Sequence, residues 1–344
     1  MSVPYICPSC DGGLREEKDK LICFDCSEAW KVRDSVPFFI KDASYWGEVP
    51  REKMKEIVEN AKKGDWKDAV NAYLGKERVE YITDESRGWW QYLLPSIEKG
   101  KVLDVGAGWG TISFSLAKAG YEVVAVDSVE ERAVFIDIRR KQEGMDNVQV
   151  ACASALELPF PAASFDIVIL NGVLEWVGLS DLSTSPDKVQ KKVLDNCFRL
   201  LKPGGVLYLA IENRISLTYF MGFKDPHSGL KFTTLMPRMI ANLYSRVKSR
   251  TDYRTYTYTK GGYEKMLRKA RFRNIEFFLP LPSYRNFKII VPSGKGNVER
   301  YCATHVWNKK RLRQLRLVQP FLKFLPVGFI MDFFSPDYSI IAKK

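Results

Sequence analysis

The apolar positions of this chain follow two periods, and the switch between them marks its elements. Short apolar runs at Val102–Val105, within YEVVAVD (121–127) and within SFDIVIL (164–170) have the length and β-branched content of buried strands. Behind the first run and a glycine turn, Ile112, Leu116 and Ala117 recur at helical spacing. The alternation continues through VLYLAIE, a helical YEKMLRKARF, and strands at NIEFFLPL and DYSIIAKK. Strands alternating with helices predict an α/β chain. Ahead of them, REKMKEIVENAKKGDWKDAVNAYL and ESRGWWQYLLPSI repeat apolar residues at three and four. That spacing predicts a helical cap over 42–97, packed on the next domain, with Trp89, Trp90 and Tyr92 facing the core or roofing a ligand. The expected organisation is residues 1–41, the cap at 42–97, and a main domain at 98–344 with insertions at about 214–255 and 283–336.

A chain of 344 residues, 46% hydrophobic and 27% charged, has room for one large core and a smaller module. The start, MSVPYICPSC, lacks a secretory signal pattern. FLKFLPVGFIMDFF is broken by Lys323, Pro326 and Asp332, too short to span a bilayer yet able to lie on one. The expected location is cytoplasmic, peripheral at the inner membrane face. Lys and Arg number 53 against 41 Asp and Glu, a formal charge of +12, which suits an anionic surface, polymer or substrate without choosing among them.

Four of the seven cysteines lie in the first 26 residues: Cys7 and Cys10, then Cys23 and Cys26, each pair separated by two residues. Two such knuckles supply four thiolates to a tetrahedral Zn²⁺ and leave no open position for chemistry. A redox C-x-x-C would need a βαβ context that this segment lacks. With WKVRDSVPFFI behind it, the segment resembles the zinc ribbon of the small methyltransferase-activator proteins, which implies an enzyme class and no particular substrate.

KVLDVGAGWGTISFSLAKAG places Gly106, Gly108 and Gly110 at alternate positions two residues behind Asp104, and Asp127 follows 23 positions after that acid. In a βαβ unit this distance puts Asp127 at the tip of the neighbouring strand, where it accepts from both hydroxyls of a ribose. A pyrophosphate fingerprint would space its glycines differently, and Asp104 would repel phosphate and favour a cation. S-adenosylmethionine has the required ammonium and ribose and no phosphate.

With VQVACASALELPFPAASFDIVILNGVLEWV and RLLKPGGVLYLAIENR following in order, the chain resembles the class I S-adenosylmethionine-dependent methyltransferases, type 11-like, over about residues 98 to 213. The resemblance implies a Rossmann-like seven-stranded sheet with helices on both faces and the last strand antiparallel. It also implies that Asp104, Gly106, Ala107, Gly108 and Gly110 line the methionine end, Asp127 and Ser128 hold the ribose, and Ala155 and Leu156 flank adenine. Asn171 would sit beside the methyl. Ser154 stands where the family commonly has an Asp for the adenine amino group, so that contact would be weaker or made by water.

Methyl transfer needs alignment and a base on the acceptor side. Candidates are His227, in GFKDPHSG within the first insertion, and Glu175 and Glu212 near strand ends. IENR followed by GFKDPHSG resembles methyltransferases that accompany glycan-assembly enzymes. SRVKSRTDYRTYTYTKGGY interleaves Arg246, Lys248, Arg250 and Arg254 with Tyr253, Tyr256 and Tyr258, a composition that grips phosphates or sugars. NKKRLRQLRLVQPFLKFL separates apolar and basic faces and suits an anionic membrane. The expected activity is O-methylation of a glycan or lipid-linked intermediate near the membrane. The alternatives are an RNA methyltransferase and a non-catalytic nucleoside-binding scaffold.

Overall fold

A computed structural model describes residues 3–41, 45, 47–94, 99–302, 304 and 327–344. The chain divides into two compact units, one of residues 1–171, 192–207 and 344, the other of 172–191 and 208–343. The basic segment NKKRLRQLRLVQPFLKFL lies outside the described residues.

The first unit begins with an antiparallel meander of β1 (Leu14–Glu17), β2 (Lys20–Cys23), β3 (Ala29–Arg33) and β4 (Val36–Phe39). Helices α1 (Arg51–Lys63), α2 (Trp66–Leu74) and α3 (Lys76–Thr83) and a 3-10 helix at Glu85–Leu93 follow. Next come β5 (Lys101–Val105), α4 (Thr111–Lys118), β6 (Glu122–Asp127), α5 (Glu130–Gln142), β7 (Val148–Ala153) and β8 (Phe165–Asn171). Helix α6 (Pro186–Leu200) and strand β9 (Leu201–Glu212) each have residues in both units. The strand order here is β1-β2-β3-β4-β7-β6-β5-β8-β9. Residues Val102 to Val105 of β5 pair in parallel with Val123–Val126 on one side and Ile167–Leu170 on the other. All of these are buried, as strands covered on both faces must be, which is why they read as unbroken apolar runs. The chain moves outward from β5 in one direction through β6 and β7, and in the other through β8. The order therefore switches beside β5, the place where open α/β sheets bind ligands at strand C-termini.

In the second unit the order is β9, β12 (Asp337–Lys343), β10 (Arg273–Leu281) and β11 (Ile289–Pro292), with β10 antiparallel to both of its neighbours. Its helices are α7 (Leu217–Phe220), α8 (Arg238–Ser249), α9 (Lys260–Lys269), α10 (Lys295–Tyr301) and α11 (Val327–Phe333). The described residues thus form twelve strands, and the expected seven must be corrected. The surplus is β1–β4 and β11. Each group covers an edge: Phe38 and Phe39 of β4 pair in parallel with Cys152 and Ala153 of β7, while β11 pairs with β10. Pairing at these edges reduces the unpaired backbone groups they present.

The helices between Arg51 and Leu93 bury apolar stripes. Met54, Ile57, Val58 and Ala61 form the buried stripe of α1, and the Gln142 amide donates to the Ala61 and Gly64 carbonyls at 2.8 Å each. Asp65 caps α2 by accepting from the N–H groups of Lys67 and Asp68. Of the three aromatics considered at 89–92, only Trp90 is in the core; Trp89 and Tyr92 are exposed. The sequence missed Arg139, buried in α5 with its guanidinium 3.8 Å from the Phe114 ring centroid and 4.8 Å from that of Trp66. It donates to Glu143 and to the Ile82 and Trp109 carbonyls, joining cap, glycine turn and sheet helix. Arg139→Ala should therefore lower stability by about 3–5 kcal/mol in urea unfolding, whereas exposed Arg268→Ala should stay within about 0.5 kcal/mol.

Candidate functional site

The glycine turn follows β5, and Gly106, Gly108 and Gly110 have φ of 73°, 61° and 77°, a region L side chains rarely enter. The Gly108 N–H donates to Asp127 Oδ2 at 2.8 Å, and the Val129 N–H donates to Oδ1 at 2.9 Å. Each Asp127 oxygen keeps a lone pair for a further donor. Burial raises the Asp127 pKa, and nearby Arg132 opposes the rise. Asp104 is buried at the end of β5 and accepts from Ser113 Oγ at 2.6 Å. Burial pushes its pKa up to about 6 against the pull of Ser113 and Arg87. A buried acid of this kind gains from a cationic ligand. The residues therefore fit the ammonium and ribose of S-adenosylmethionine.

The other residues expected at this site have varied surroundings. Ala107, Ser128 and Asn171 are half-buried, Asn171 as the last residue of β8. Ser154 Oγ accepts from the Leu156 N–H at 3.2 Å, and the Ala155 and Leu156 carbonyls accept from Asn196. Ser154 thus shapes the turn that carries Ala155 and Leu156. Unforeseen in the sequence was Glu48, which accepts from Trp109 Nε1 at 2.8 Å and pairs with Arg132 and Arg78. No local pattern links residue 48 to the glycine turn.

The three acceptor-side candidates lie in the second unit, and the fold brings them together. Glu175 follows β8 by four residues, Glu212 ends β9, and His227 comes from the loop before α8. His227 Nε2 is 3.7 Å from Glu175 Oε1 and 3.6 Å from Glu212 Oε2. Its Nδ1 is 2.9 Å from Asp225 Oδ1, and Asp225 also accepts from Ser228 Oγ and the His227 N–H. Tyr284 and Arg285 donate to the remaining Glu212 oxygen at 3.0 and 2.8 Å. Gly172, at φ 69°, leaves space for that tyrosine: a Cβ there would stand 2.7 Å from the hydroxyl. Burial, then the Glu212 charge, pushes Glu175 up to about 7. Burial would lower His227, but the Asp225, Glu175 and Glu212 carboxylates prevail and push it up to about 10. Asp225, two residues before His227 in DPH, was the one partner a closer look at the sequence could have found.

The four cysteines of the first unit also converge. Cys7 Sγ is 3.6 Å from Cys26 Sγ, Cys10 Sγ is 3.4 Å from Cys23 Sγ, and all four lie within 4.8 Å of one another. Four sulfurs about 2.3 Å from one Zn²⁺ would stand about 3.7 Å apart, so the donor set fits that ion. Gly12 permits the approach, because a Cβ there would come within 3.0 Å of Cys23 Sγ. The Arg/Tyr-rich stretch is divided: Arg246, Lys248 and Arg250 are exposed, whereas Tyr253 is buried, Arg238 lies 4.0 Å from the Tyr256 ring centroid, and Arg254 donates to the Gly178 and Asp181 carbonyls.

Comparison with known proteins finds methyltransferases. Residues 103–209 match the family model described as a methyltransferase domain. The ubiquinone biosynthesis O-methyltransferase of Coxiella burnetii is 31% identical over 162 residues, covering 41% of this chain and 64% of that protein. The demethylmenaquinone methyltransferase of Clavibacter sepedonicus is 39% identical over 106 residues, covering 30% and 38%. The chain therefore spans less than two thirds of the length of these curated relatives. Among solved structures, Haemonchus contortus phosphoethanolamine N-methyltransferase 2 is similar with a TM-score of 0.44 and 17% identity, over 81% of this chain and 59% of that one. A SAM-dependent methyltransferase from Archaeoglobus fulgidus has a TM-score of 0.43 and 17% identity, over 82% and 100%. Residues 103–209, from β5 into β9, are a methyltransferase domain of the Rossmann-like α/β kind.

The raised Asp104 pKa gives a signed expectation. Its folded value of about 6 lies above the ordinary carboxyl value of 3.8, so its contribution to stability is greatest below pH 4 and is lost as pH rises through 6. Asp104→Asn should stabilise the donor-free protein at pH 8 by on the order of 2–3 kcal/mol and by about half that at pH 5. The same variant should lose donor binding in calorimetry. Equal melting temperatures for variant and parent at pH 8 would contradict the buried-acid account.

Proposed function

We propose that the protein is an S-adenosylmethionine-dependent methyltransferase acting on a hydroxyl of a glycan or lipid-linked intermediate at an anionic membrane surface. The observation that carries the donor is the pair of buried acids, Asp104 and Asp127, at the ends of adjacent strands beside a glycine turn. Asp104 faces a cation better than a phosphate, and Asp127 has lone pairs for two ribose hydroxyls. When bound, the donor supplies its methyl group: the acceptor oxygen forms the new C–O bond as the C–S bond breaks, and that electron pair stays on sulfur. The chain's part is to hold the acceptor and take its proton, for which Glu175, with Glu212 and His227 beside it, is the base.

The acceptor class rests on α8. Met239, Ile240, Leu243 and Val247 lie along one face of this helix and are all more than half exposed, with Arg246, Lys248 and Arg250 at its end. Leu217, Phe220, Met221 and Phe223 are exposed around α7 as well. Apolar faces flanked by cations suit the boundary of an anionic bilayer. The names of the Coxiella and Clavibacter relatives, which concern quinones, support a lipophilic acceptor, and the former supports oxygen. Among the described residues no helix is long and apolar enough to cross a membrane. An RNA acceptor finds less support, since Tyr253 is buried and Arg238 covers Tyr256. The ribbon reading completes the proposal: Cys7, Cys10, Cys23 and Cys26 hold a structural Zn²⁺ that contributes folding free energy to the meander.

Labelled donor incubated with the protein and separated cell fractions should place label in lipid-linked or glycan material; label in RNA would replace the acceptor, and no label despite tight donor binding would remove the activity. Asp127→Ala should abolish donor binding in calorimetry while zinc content stays at the parent's level. Ile240→Glu with Leu243→Glu should weaken sedimentation with anionic vesicles at least tenfold and leave donor affinity unchanged; undiminished sedimentation would remove α8 from the membrane account.

A further inference from the structure

The Glu175–Glu212–His227 cluster has a property that a proton relay does not explain. The three side chains are 0%, 6% and 1% exposed, yet both Glu175 oxygens, Glu212 Oε2 and His227 Nε2 have no hydrogen-bond partner among the described residues. At 3.6 and 3.7 Å, the gaps from Nε2 to the carboxylates exceed the reach of a hydrogen bond. Buried polar atoms left in this state are destabilising unless something else satisfies them.

We propose that these three residues form a second metal site, for one divalent cation that accepts oxygen and nitrogen ligands, such as Mn²⁺ or Zn²⁺. A cation about 2.1–2.2 Å from each donor spreads neighbouring ligand atoms to about 3.4–3.6 Å in a tetrahedral arrangement, close to the observed gaps. The three donor atoms lie within 4.8 Å of one another. The supports have the form metal sites require. Asp225 accepts from Nδ1–H, which turns the Nε2 lone pair toward the glutamates, and Tyr284 and Arg285 fix the far oxygen of Glu212 so that Oε2 faces His227. The Trp176 ring stands edge-on to the imidazole with centroids 4.8 Å apart, excluding water from one side. Three protein ligands leave a coordination position open for an acceptor oxygen, whose proton becomes more acidic on the cation and passes to the free Glu175 oxygen. This catalytic use rests on the methyltransferase reading; the binding of the cation does not.

The test uses the full chain with its cysteine site zinc-loaded, titrated with Mn²⁺ and followed by electron paramagnetic resonance, because thiolates disfavour that ion. The expected result is one Mn²⁺ per chain with nitrogen hyperfine coupling. In His227→Gln the coupling should vanish and affinity should fall at least tenfold; Glu175→Gln should show the same fall, with donor binding and melting temperature retained as the check on folding. No Mn²⁺ bound at millimolar concentration by protein verified to carry one zinc per chain, or parental affinity in both folded variants, overturns the site. Mn²⁺ binding without methyl transfer to any acceptor would defeat the enzyme reading and leave the site standing. Transfer at full rate after Mn²⁺ is removed and zinc content verified would overturn its catalytic use.

Discussion

The hydrogen bond from the Gly108 N–H to Asp127 holds the first unit's ligand site in shape. It joins a glycine turn to the tip of the neighbouring strand, 19 residues away in sequence. The same carboxylate accepts from the Val129 N–H one residue before α5. A single buried acid therefore ties the turn before α4 to the approach to α5. That arrangement carries a cost in the donor-free protein, since burial disfavours the ionised form of Asp127 and of Asp104. A cationic nucleoside bound there would offset part of this cost and so couple binding to the local stability of the turn.

Around that centre the N-terminal segments act as covers. The cysteine meander continues the sheet past β7, and Tyr5 and Val3 add long-range hydrogen bonds to Val150 and Gln149. The helical segment buries its stripe on α5 and extends Glu48 to Trp109 and Arg132. Glu48 neutralises a cation beside Asp127 that would otherwise attract phosphate.

The second unit solves a different problem. Its cluster gathers two glutamates and a histidine in a nearly water-free place and orients them through Asp225, Tyr284 and Arg285. Positive φ at Gly172 leaves the space Tyr284 needs, so a backbone requirement and a side-chain position are linked. The exposed apolar face of α8 belongs to this same unit.

What the sequence determined by itself was local. The glycine turn, the acids of β5 and β6 and the paired cysteines all lie within short spans, and chemistry at fixed spacing reads directly from such spans. Tertiary structure alone decided the strand count, because edge pairing of β4 with β7 joins residues more than a hundred positions apart. It also decided that Glu175, Glu212 and His227 meet, and that Tyr284, 72 residues from Glu212, holds one of them. The Arg/Tyr-rich stretch looked in sequence like a gripping surface, yet packing turned Tyr253 and Arg254 inward. Composition reports which contacts a segment is able to make. Only the closure of distant loops onto one another decides which of them are made, because burial and hydrogen-bond satisfaction are properties of the assembled neighbourhood.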